Sequence, residues 1–240
     1  MKIGIAITSS GSIAPEIYRN HLSVISEWVR LYDIQLYHIY DTPQVEALNT
    51  IVDCALNDGC SHIFFMEHDN IYHYETLPKL VRHDLDFVSG YYTFRNWPYA
   101  PIPIVKDDEG KMWRVEFIPG VEGTELIEVD VACFGCSLIK TKVLNKISRP
   151  YFDLKKNEKN NKWYTADVVL FNKLTDAGIK LFVDGTVREG HLSNRFIVTP
   201  DNYEFLQKMV QVGFPECVTE VSDLLSVEDR LNEFKRIMKG

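Results

Sequence analysis

The stretch HIFFMEHDN, residues His62–Asn70, sets a short apolar run directly before a group of polar residues. Ile63–Met66 has the length and the unbroken apolar character of a buried strand. The strand stops at two acids, Glu67 and Asp69, which lie on either side of a histidine. Because ligands in open α/β sheets collect beyond the carboxyl ends of the strands, the two acids stand where such a fold places its binding site.

The segments around this strand alternate between strand and helix patterns through the first half of the chain. Such alternation predicts βαβ units and a mainly parallel sheet flanked by helices. The predicted strands are Lys2–Thr8, Ile34–Tyr40, Ile63–Met66 and Phe87–Ser89, and the predicted helices are Pro15–Leu31, a segment opened by Asp41–Pro43, and Thr76–Arg82.

The second half, after Gly90, has a less regular rhythm. Turn residues and short apolar runs again mark the elements. We predict a hairpin of Ile102–Val105 and Met112–Ile118, a strand over Leu126–Val131, a helix over Lys140–Ile147, a polar loop over Asp153–Trp163, a helix over Ala166–Ala177 and a strand over Lys180–Val183.

The length and composition of the chain suit one domain with a small appendage. Its 240 residues are 45% hydrophobic and 25% charged, which is ordinary for a globular protein. We assign residues 1–199 to the α/β domain and residues 200–240 to a short helical C-terminal extension. The default role of the extension is to brace the domain, and the alternatives are a contact for homo-oligomers and a docking site for a partner. The formal net charge of -8 argues against nucleic-acid binding, which needs clustered Lys and Arg.

The sequence carries no recognisable targeting signal, and no window approaches the ~20 apolar residues of a transmembrane helix. The five cysteines are scattered and odd in number, which favours reduced thiols and a cytoplasmic protein. Cys133 and Cys136 form a C-x-x-C pair, but this pair neither follows the first strand nor has the second pair that a zinc site needs. We therefore predict that both are buried structural thiols.

The two acids after Ile63–Met66 can converge on one cation if the backbone bends. Hard divalent ions such as Mg²⁺ or Mn²⁺ bind through one or two carboxylates, while water and substrate phosphates complete the shell. The alternative for an acid-x-acid triplet is a solvated junction between strand and loop. His68 should point away from its neighbours in an extended segment, so neither it nor His73 belongs to the predicted ligands.

HIFFMEHDN resembles the strand and DxD segment of GT-A-type glycosyltransferases, in the nucleotide-diphospho-sugar transferase superfamily. Three further stretches occur in the order that this family shows, and they extend the resemblance over Lys2–Leu192. They are LDFVSGYYTFRNWPYAPIPI (Leu85–Ile104), similar to a strand and sugar-side loop, VDVACFGCSLIKTKVLNKI (Val129–Ile147), similar to the central strand, small-residue turn and following helix, and YTADVVLFNKLTDAGIKLFVDGTVREGHL (Tyr164–Leu192), similar to the segment that leads to a metal-binding histidine. The resemblance implies a GT-A-like, Rossmann-type sandwich for residues 1–199.

The resemblance also implies a divalent cation, Mn²⁺ or Mg²⁺, held against a nucleotide-sugar diphosphate. Asp69 matches the second acid of the motif, which touches the cation directly, and Glu67 stands where the family more often has Asp. His191 matches the histidine that completes the shell of the cation. Neutral imidazole suits Mn²⁺ somewhat better than Mg²⁺.

A catalytic role is implied for Asp167, which matches the Asp of the family's Glu-Asp pair. That Asp is the general base of inverting enzymes and takes the proton from the acceptor hydroxyl. Ala166 stands in place of the pair's Glu, which leaves open that Asp167 is only a helix N-cap. The sequence leaves both inverting and retaining outcomes open.

Nucleotide contacts are implied for residues at the ends of the first two strands and in the second helix. The matching residues are Thr8, Ser9, Ser10, Asp41 and Asn49. Leu48 stands where the family commonly has Arg, so a phosphate contact is either absent or supplied elsewhere, with Arg95 and Arg188 as the candidates. The alternative for either arginine is solvated surface.

These residues predict a metal-dependent glycosyltransferase that moves a sugar from a nucleotide-diphosphate donor to an acceptor hydroxyl. One alternative is a non-catalytic nucleotide-sugar or carbohydrate-binding domain of the same fold, because fold alone does not settle function. The other is a sugar-1-phosphate nucleotidyltransferase, whose basic Gly-rich loop is missing from TSSGSIAPE (Thr8–Glu16). Most aromatic residues of the sugar-side loop are expected to pack, with one or two facing the sugar; these residues are Tyr91, Tyr92, Phe94, Trp97 and Tyr99.

Overall fold

The computed structural model describes residues 1–96, 98–115, 117, 125–157, 161–193 and 197–211. In these residues strands and helices alternate around a large central sheet. Along the chain the elements are β1 (Lys2–Ser9), α1 (Pro15–Trp28), β2 (Asp33–Tyr40), α2 (Gln44–Asn57), β3 (His62–Met66), β4 (Asn70–Ile71), α3 (Thr76–Arg82), β5 (Phe87–Tyr91), β6 (Ile104–Lys106), β7 (Met112–Arg114), β8 (Leu126–Val129), β9 (Cys136–Lys140), α4 (Thr141–Leu144), β10 (Lys155–Asn157), β11 (Lys162–Tyr164), α5 (Ala166–Asp176), β12 (Leu181–Arg188), β13 (Gly190–Leu192), β14 (Ile197–Val198) and α6 (Tyr203–Gln211).

The central sheet has seven strands in the order β2-β1-β3-β9-β5-β12-β8. Strands β2, β1, β3, β5 and β12 run in one direction, and β9 and β8 run against their neighbours. The sheet is therefore mainly parallel, as predicted. The carboxyl ends of β1, β2 and β3 meet at one edge, where ligands collect in sheets of this kind.

Two apolar cores cover the two faces of the sheet. Successive side chains of a strand point to opposite faces, so a strand buried on both sides must be apolar throughout. In β3, Ile63 and Phe65 enter one core, while Phe64 and Met66 enter the other. All four side chains are at most 1% exposed, and this burial makes β3 a rigid support for the acids that follow it.

The helices bury one stripe each against these cores. On α1 the buried residues recur at helical spacing and lie on the Phe64 side; they are Ile17, His21, Val24 and Trp28. On α2 the buried stripe faces the Phe65 side and includes Leu48, Ile51 and Val52. Helix α5 covers that same side through Leu170, Phe171 and Leu174. Fully burying one such side chain contributes about 1.5–3 kcal/mol. The buried stripes therefore determine which face of α1, α2 and α5 packs against the sheet.

A small second sheet in the order β14-β13-β4 lies beside the end of β3. Its register pairs His191 with Asn70 and Gly190 with Ile71. The turn that carries Glu67 and Asp69 is thereby tied to a strand more than a hundred residues further along the chain. A minor core of Tyr99, Val198, Tyr203 and Leu206 joins α6 to this sheet.

Several predicted elements differ from the structure. Lys140–Ile147 was predicted as a helix, but β9 continues through Lys140 and α4 is only Thr141–Leu144. Asp153–Trp163 was predicted as a loop, whereas β10 and β11 form an antiparallel hairpin there. The predicted hairpin after Gly90 is present as β6 and β7, although part of its second strand lies outside the described residues. In the C-terminal extension α6 is helical, and residues 212–240, like Trp97, lie outside the described residues.

Candidate functional site

A cavity of about 540 Å³ opens at the carboxyl edge of the sheet. Clefts of about 300–1,000 Å³ are the usual size of small-molecule sites. Eight of the residues predicted for the site line this cavity, although they come from five separate segments of the chain; they are Thr8, Ser9, Ser10, Glu67, Asp69, Arg95, Asp167 and His191. The fold therefore brings together most of what the sequence singled out.

The two acids converge because the chain turns sharply after β3. The amide of Asn70 donates to the carbonyl of Glu67 at 3.3 Å, which closes a tight turn before β4 begins. Ligand atoms of Glu67, Asp69 and His191 all lie within 4.8 Å of one another. His68 was predicted to point away from Glu67 and Asp69 if the segment were extended. The segment turns instead, and His68 lines the same cavity as the two acids. His68 is not part of the three-residue cluster.

Glu67 sits in a pocket made by two tyrosines and a glycine. The hydroxyl of Tyr92 lies 3.4 Å from a Glu67 carboxylate oxygen, and it also accepts from the amide of Gly135 at 2.7 Å. The hydroxyl of Tyr72 accepts from the amide of Glu67 at 2.9 Å and donates to the carbonyl of Gly135. Burial, reinforced by the negative charge of Asp69, raises the pKa of Glu67 to about 7. Glu67 therefore gains or loses its charge near neutral pH.

Asp69 and His191 form the second half of the cluster. The imidazole Nδ1 of His191 lies 2.9 Å from the carbonyl of Thr93, which can only accept, so Nδ1 carries a proton. This contact aims Nε2 at Asp69, whose carboxylate oxygen is 3.4 Å away. Burial opposes both charges, but their mutual attraction lowers the pKa of Asp69 and raises the pKa of His191. A histidine with one nitrogen tied to a backbone carbonyl and the other directed at a carboxylate is oriented as metal-binding histidines are.

Arg95 reaches the same carboxylate from the opposite loop. Its guanidinium Nη1 donates to Asp69 Oδ2, the oxygen that also faces His191. The side chain of Arg95 is 46% exposed, whereas that of Asp69 is 12% exposed. Arg95 is the only Lys or Arg among the described residues that line the cavity.

Asp167 lies in the first turn of α5, on the wall of the cavity. The helix N-cap is Thr165, so the structure does not place Asp167 at the cap position that was its alternative role. Its negative charge is one of the influences that raise the pKa of Glu67. Asp167 therefore faces the same cavity as Glu67, Asp69 and His191.

Two residues predicted to contact the nucleotide are not on the cavity wall. The side chain of Asn49 is engaged with the backbone of the segment before β10: it accepts from the amides of Tyr151 and Phe152 and donates to the carbonyl of Phe152. Asp41 follows β2 with a φ of 52° and is not among the described lining residues, whereas Thr42 is. Arg188 was an alternative phosphate contact, but it pairs with Asp201 away from the cavity.

The cavity wall also contains residues that the sequence did not suggest. They include Thr42, Gln44, Phe134 and Thr165, whereas Ser10 and Leu48, which also line the cavity, belong to segments that the sequence had singled out. Leu48 is where the resemblance implied a missing arginine, and it closes the wall with an apolar surface. Gln44 and Thr165 stand at or just before helix N-termini, which at the carboxyl edge of a sheet is a signal that could have singled them out.

Four of the five aromatic residues singled out in Leu85–Ile104 are described by the structure, and three of them pack, in agreement with the expected packing role of most of them. Tyr91, Tyr92 and Tyr99 are at most 2% exposed and pack, whereas Phe94 is 40% exposed and lines the cavity. Cys133 and Cys136 are free and fully buried, and burial raises the pKa of both thiols. They therefore lie in the core, as predicted, and away from the cavity wall.

Within the described part of the chain, no helix has both the length and the apolar character needed to cross a membrane. No protein-family model matches the sequence, and no curated protein does. Among solved structures the chain is similar to A197 from STIV, with a TM-score of 0.57 and 19% identity over 84% of this chain and 91% of that one. It also aligns with 4-diphosphocytidyl-2C-methyl-D-erythritol synthase from Anaerococcus prevotii DSM 20548, with a TM-score of 0.43 and 14% identity over 87% and 96% of the two chains. The likeness to A197 concerns the fold alone, and the weaker second one carries no argument about activity.

Proposed function

We propose that this protein is a metal-dependent glycosyltransferase that moves a sugar from a nucleotide-diphosphate donor to an acceptor hydroxyl. The observation that carries the proposal is the convergence of Glu67, Asp69 and His191 on the wall of the cavity that also holds Asp167. Two carboxylates with one oriented imidazole form a donor set that suits Mn²⁺ or Mg²⁺. The proposal also agrees with the family resemblance of the sequence.

In this proposal each part of the cavity has one task. Glu67, Asp69 and His191 would hold the ion, which supplies positive charge to the diphosphate leaving group. Thr8 and Ser9 stand at the end of β1 and would contact the nucleotide, and Ser9 is held in place by His38 at 2.9 Å. Asp167 would accept the proton of the acceptor hydroxyl as its oxygen attacks the anomeric carbon. A cytoplasmic location and a homo-oligomer built through residues 200–240 remain predictions from the sequence.

The test is thermal unfolding with UDP, GDP, CMP and dTDP, each with and without Mn²⁺. A ligand at a hundredfold its dissociation constant adds about 2.7 kcal/mol of stability, which gives a clear shift in Tm. We expect a rise with one nucleotide that needs Mn²⁺ and is lost in Asp69→Ala. No metal-dependent rise with any nucleotide would contradict the cation site and leave a metal-independent binding domain as the better description.

Turnover separates the proposal from its two alternatives. Incubation of the responding nucleotide-sugar with candidate acceptors should give the free nucleoside diphosphate and a glycosylated acceptor. Binding without any turnover or slow hydrolysis would favour the non-catalytic domain. Release of pyrophosphate from a nucleoside triphosphate and a sugar 1-phosphate would favour the nucleotidyltransferase. The sequence argues against this alternative, because the segment Ser9–Ile13 at the end of β1 contains no basic residue.

A further inference from the structure

Arg95 and a cation would compete for the same oxygen of the candidate site. Asp69 Oδ2 accepts from the guanidinium of Arg95 and lies 3.4 Å from His191 Nε2. A cation bound between this oxygen and His191 Nε2 would lie within about 2 Å of both atoms. The positive guanidinium and a divalent ion at one oxygen repel each other strongly in a partly buried place. The hydrogen bond from Arg95 and a cation at Asp69 Oδ2 therefore disfavour each other.

We propose that Arg95 holds the place of the cation at Asp69 and, when metal and diphosphate bind, releases Asp69 and contacts the diphosphate. The proposal rests on the function proposed above. It adds that Arg95 holds the Asp69 carboxylate in place until the cation and the diphosphate bind. It makes Arg95 a residue with two successive partners rather than a fixed phosphate ligand.

The charges on the cavity wall favour such an exchange. Glu67, Asp69 and Asp167 supply three carboxyl groups, against one guanidinium among the described lining residues. A diphosphate is repelled by this wall unless positive charge is added. A divalent cation adds that charge at Asp69, and in doing so it makes Arg95 available to the incoming anion. Guanidinium groups bind phosphate oxygens in paired, directional hydrogen bonds, which makes this second partner favourable.

The surroundings of the two residues allow Arg95 to move while Asp69 stays. Asp69 is 8% exposed, and its carbonyl accepts from the amide of Leu192 at 2.7 Å, so its backbone is fixed by β13. The side chain of Arg95 is 46% exposed and borders the open cavity. The base of its loop is closed by the bridge of Thr93 with Pro101 and by the amide of Phe94, which donates to Ala100. The side chain can therefore swing without a change in the loop backbone.

The exchange links the two ligands. Because diphosphate removes Arg95 from Asp69, it also removes a competitor of the cation, and by linkage each ligand must strengthen the binding of the other. Replacing Arg95 by an uncharged residue should therefore act in opposite directions on the two ligands. Cation binding should become tighter, and diphosphate binding should become weaker.

The experiment is calorimetric titration of Mn²⁺ in the absence of nucleotide, and of inorganic pyrophosphate at saturating Mg²⁺. In Arg95→Gln the Kd for Mn²⁺ should fall by roughly two- to fivefold, the range expected for loss of a competing, half-exposed ion pair. The Kd for pyrophosphate should rise by roughly tenfold or more, because a hydrogen bond to a charged group is lost. Arg95→Lys keeps the charge and should stay near wild type for Mn²⁺. Arg30→Gln is the matched control, since Arg30 is 71% exposed and pairs with Glu27 on α1.

Asp69→Asn separates failure of this inference from failure of the proposed function. If wild type binds Mn²⁺ and Asp69→Asn does not, the titrated ion is the one at Asp69. An unchanged or weaker Mn²⁺ affinity in Arg95→Gln would then overturn the exchange and leave the cation site intact. Tighter Mn²⁺ with unchanged pyrophosphate affinity would overturn the second half, the transfer of Arg95 to the diphosphate. No Mn²⁺ binding in wild type or in Arg95→Gln would overturn both the exchange and the cation site.

Discussion

Gly135 leaves the space that the side chain of Glu67 occupies: a Cβ on Gly135 would lie 2.7 Å from the carboxyl carbon of Glu67. The backbone of Gly135 is held by the hydroxyls of Tyr72 and Tyr92, and the same two tyrosines contact Glu67. The position of the candidate ligand Glu67 thus depends on Gly135, the residue that directly precedes β9. The small-residue turn of the sequence has a definite task here, which is to admit a carboxylate.

Gly135→Ala should therefore weaken cation binding and lower stability together. The added methyl forces Glu67 out of its place, and overpacking of this kind costs about 1–3 kcal/mol. Titration of Mn²⁺ and urea unfolding would measure the two effects. Gly4→Ala is the control, because a Cβ at Gly4 would lie 2.9 Å from the ring of Tyr37 and 3.5 Å from Ala55, near the start of β1, and Gly4 is not a lining residue of the cavity. Equal Mn²⁺ affinity in Gly135→Ala and wild type would show that Glu67 does not hold the cation.

Asp167→Asn should lower the rate of transfer while donor binding stays intact. Loss of a general base reduces kcat by roughly 10²–10⁴-fold, and Asp167 lies on the cavity wall rather than in the cation cluster. The measurement is kcat with the responding nucleotide-sugar, together with the Kd of its nucleoside diphosphate.

Asp176→Asn is the matched control for Asp167→Asn, since Asp176 is the last residue of the same helix and is exposed. It should leave kcat unchanged. A normal kcat in Asp167→Asn would assign proton removal to another group, whereas a loss of nucleotide binding would make Asp167 a binding residue.

Asn49→Ala should reduce stability but leave nucleotide binding unchanged. The Asn49 amide satisfies backbone groups of Tyr151 and Phe152, and leaving buried polar groups without a partner costs about 1–3 kcal/mol each. Urea unfolding and the Kd of the responding nucleoside diphosphate would test both statements. Asn172→Ala, on the exposed face of α5, should change neither quantity. A weaker nucleotide affinity at unchanged stability would restore Asn49 to the nucleotide contacts that the sequence predicted.

What the sequence predicted well was local. The run Ile63–Met66 is buried on both faces, so its own composition defines β3, and α3 begins and ends at the predicted Thr76 and Arg82. The acids after β3 could be placed because the end of a strand is also the edge of the sheet. These features depend on neighbouring residues that the sequence shows directly.

What the sequence did not predict depends on partners far along the chain. Strand β9 begins inside a segment whose pattern predicted a turn and a helix, and it forms because β3 and β5 hydrogen-bond to its two edges. The amide of Asn49 finds its partners at residues 151 and 152, and Arg188 finds Asp201. The same holds for Gly135, whose task is visible only when Glu67 is beside it. Patterns of neighbouring residues carry no information about such pairings.

The stability of the protein should fall as the solution becomes acidic, in part because of His21. This residue lies on the buried face of α1 and is 3% exposed, and its Nε2 donates to the carbonyl of Asn70 at 3.0 Å. Burial lowers the pKa of His21 from 6.5 to about 4, with a smaller opposing effect of the hydrogen bond to Asn70. Between these values the unfolded chain binds a proton that the folded chain does not. The contribution of His21 is therefore present above about pH 6.5 and is lost as the pH falls toward about 4.

His21→Phe should reduce this acid sensitivity. At about 1.4 kcal/mol for each pKa unit, the residue accounts for at most about 3 kcal/mol of the fall in unfolding free energy. Urea unfolding of wild type and variant at about pH 7.5 and about pH 4.5 gives the difference, in which other titrating groups cancel. His73→Phe is the control, since the side chain of His73 is 57% exposed. Equal losses of stability in wild type and His21→Phe would mean that His21 is protonated in the folded protein as readily as in the unfolded chain. The turn from Glu67 to Asn70 would then rearrange to accommodate the positive imidazole.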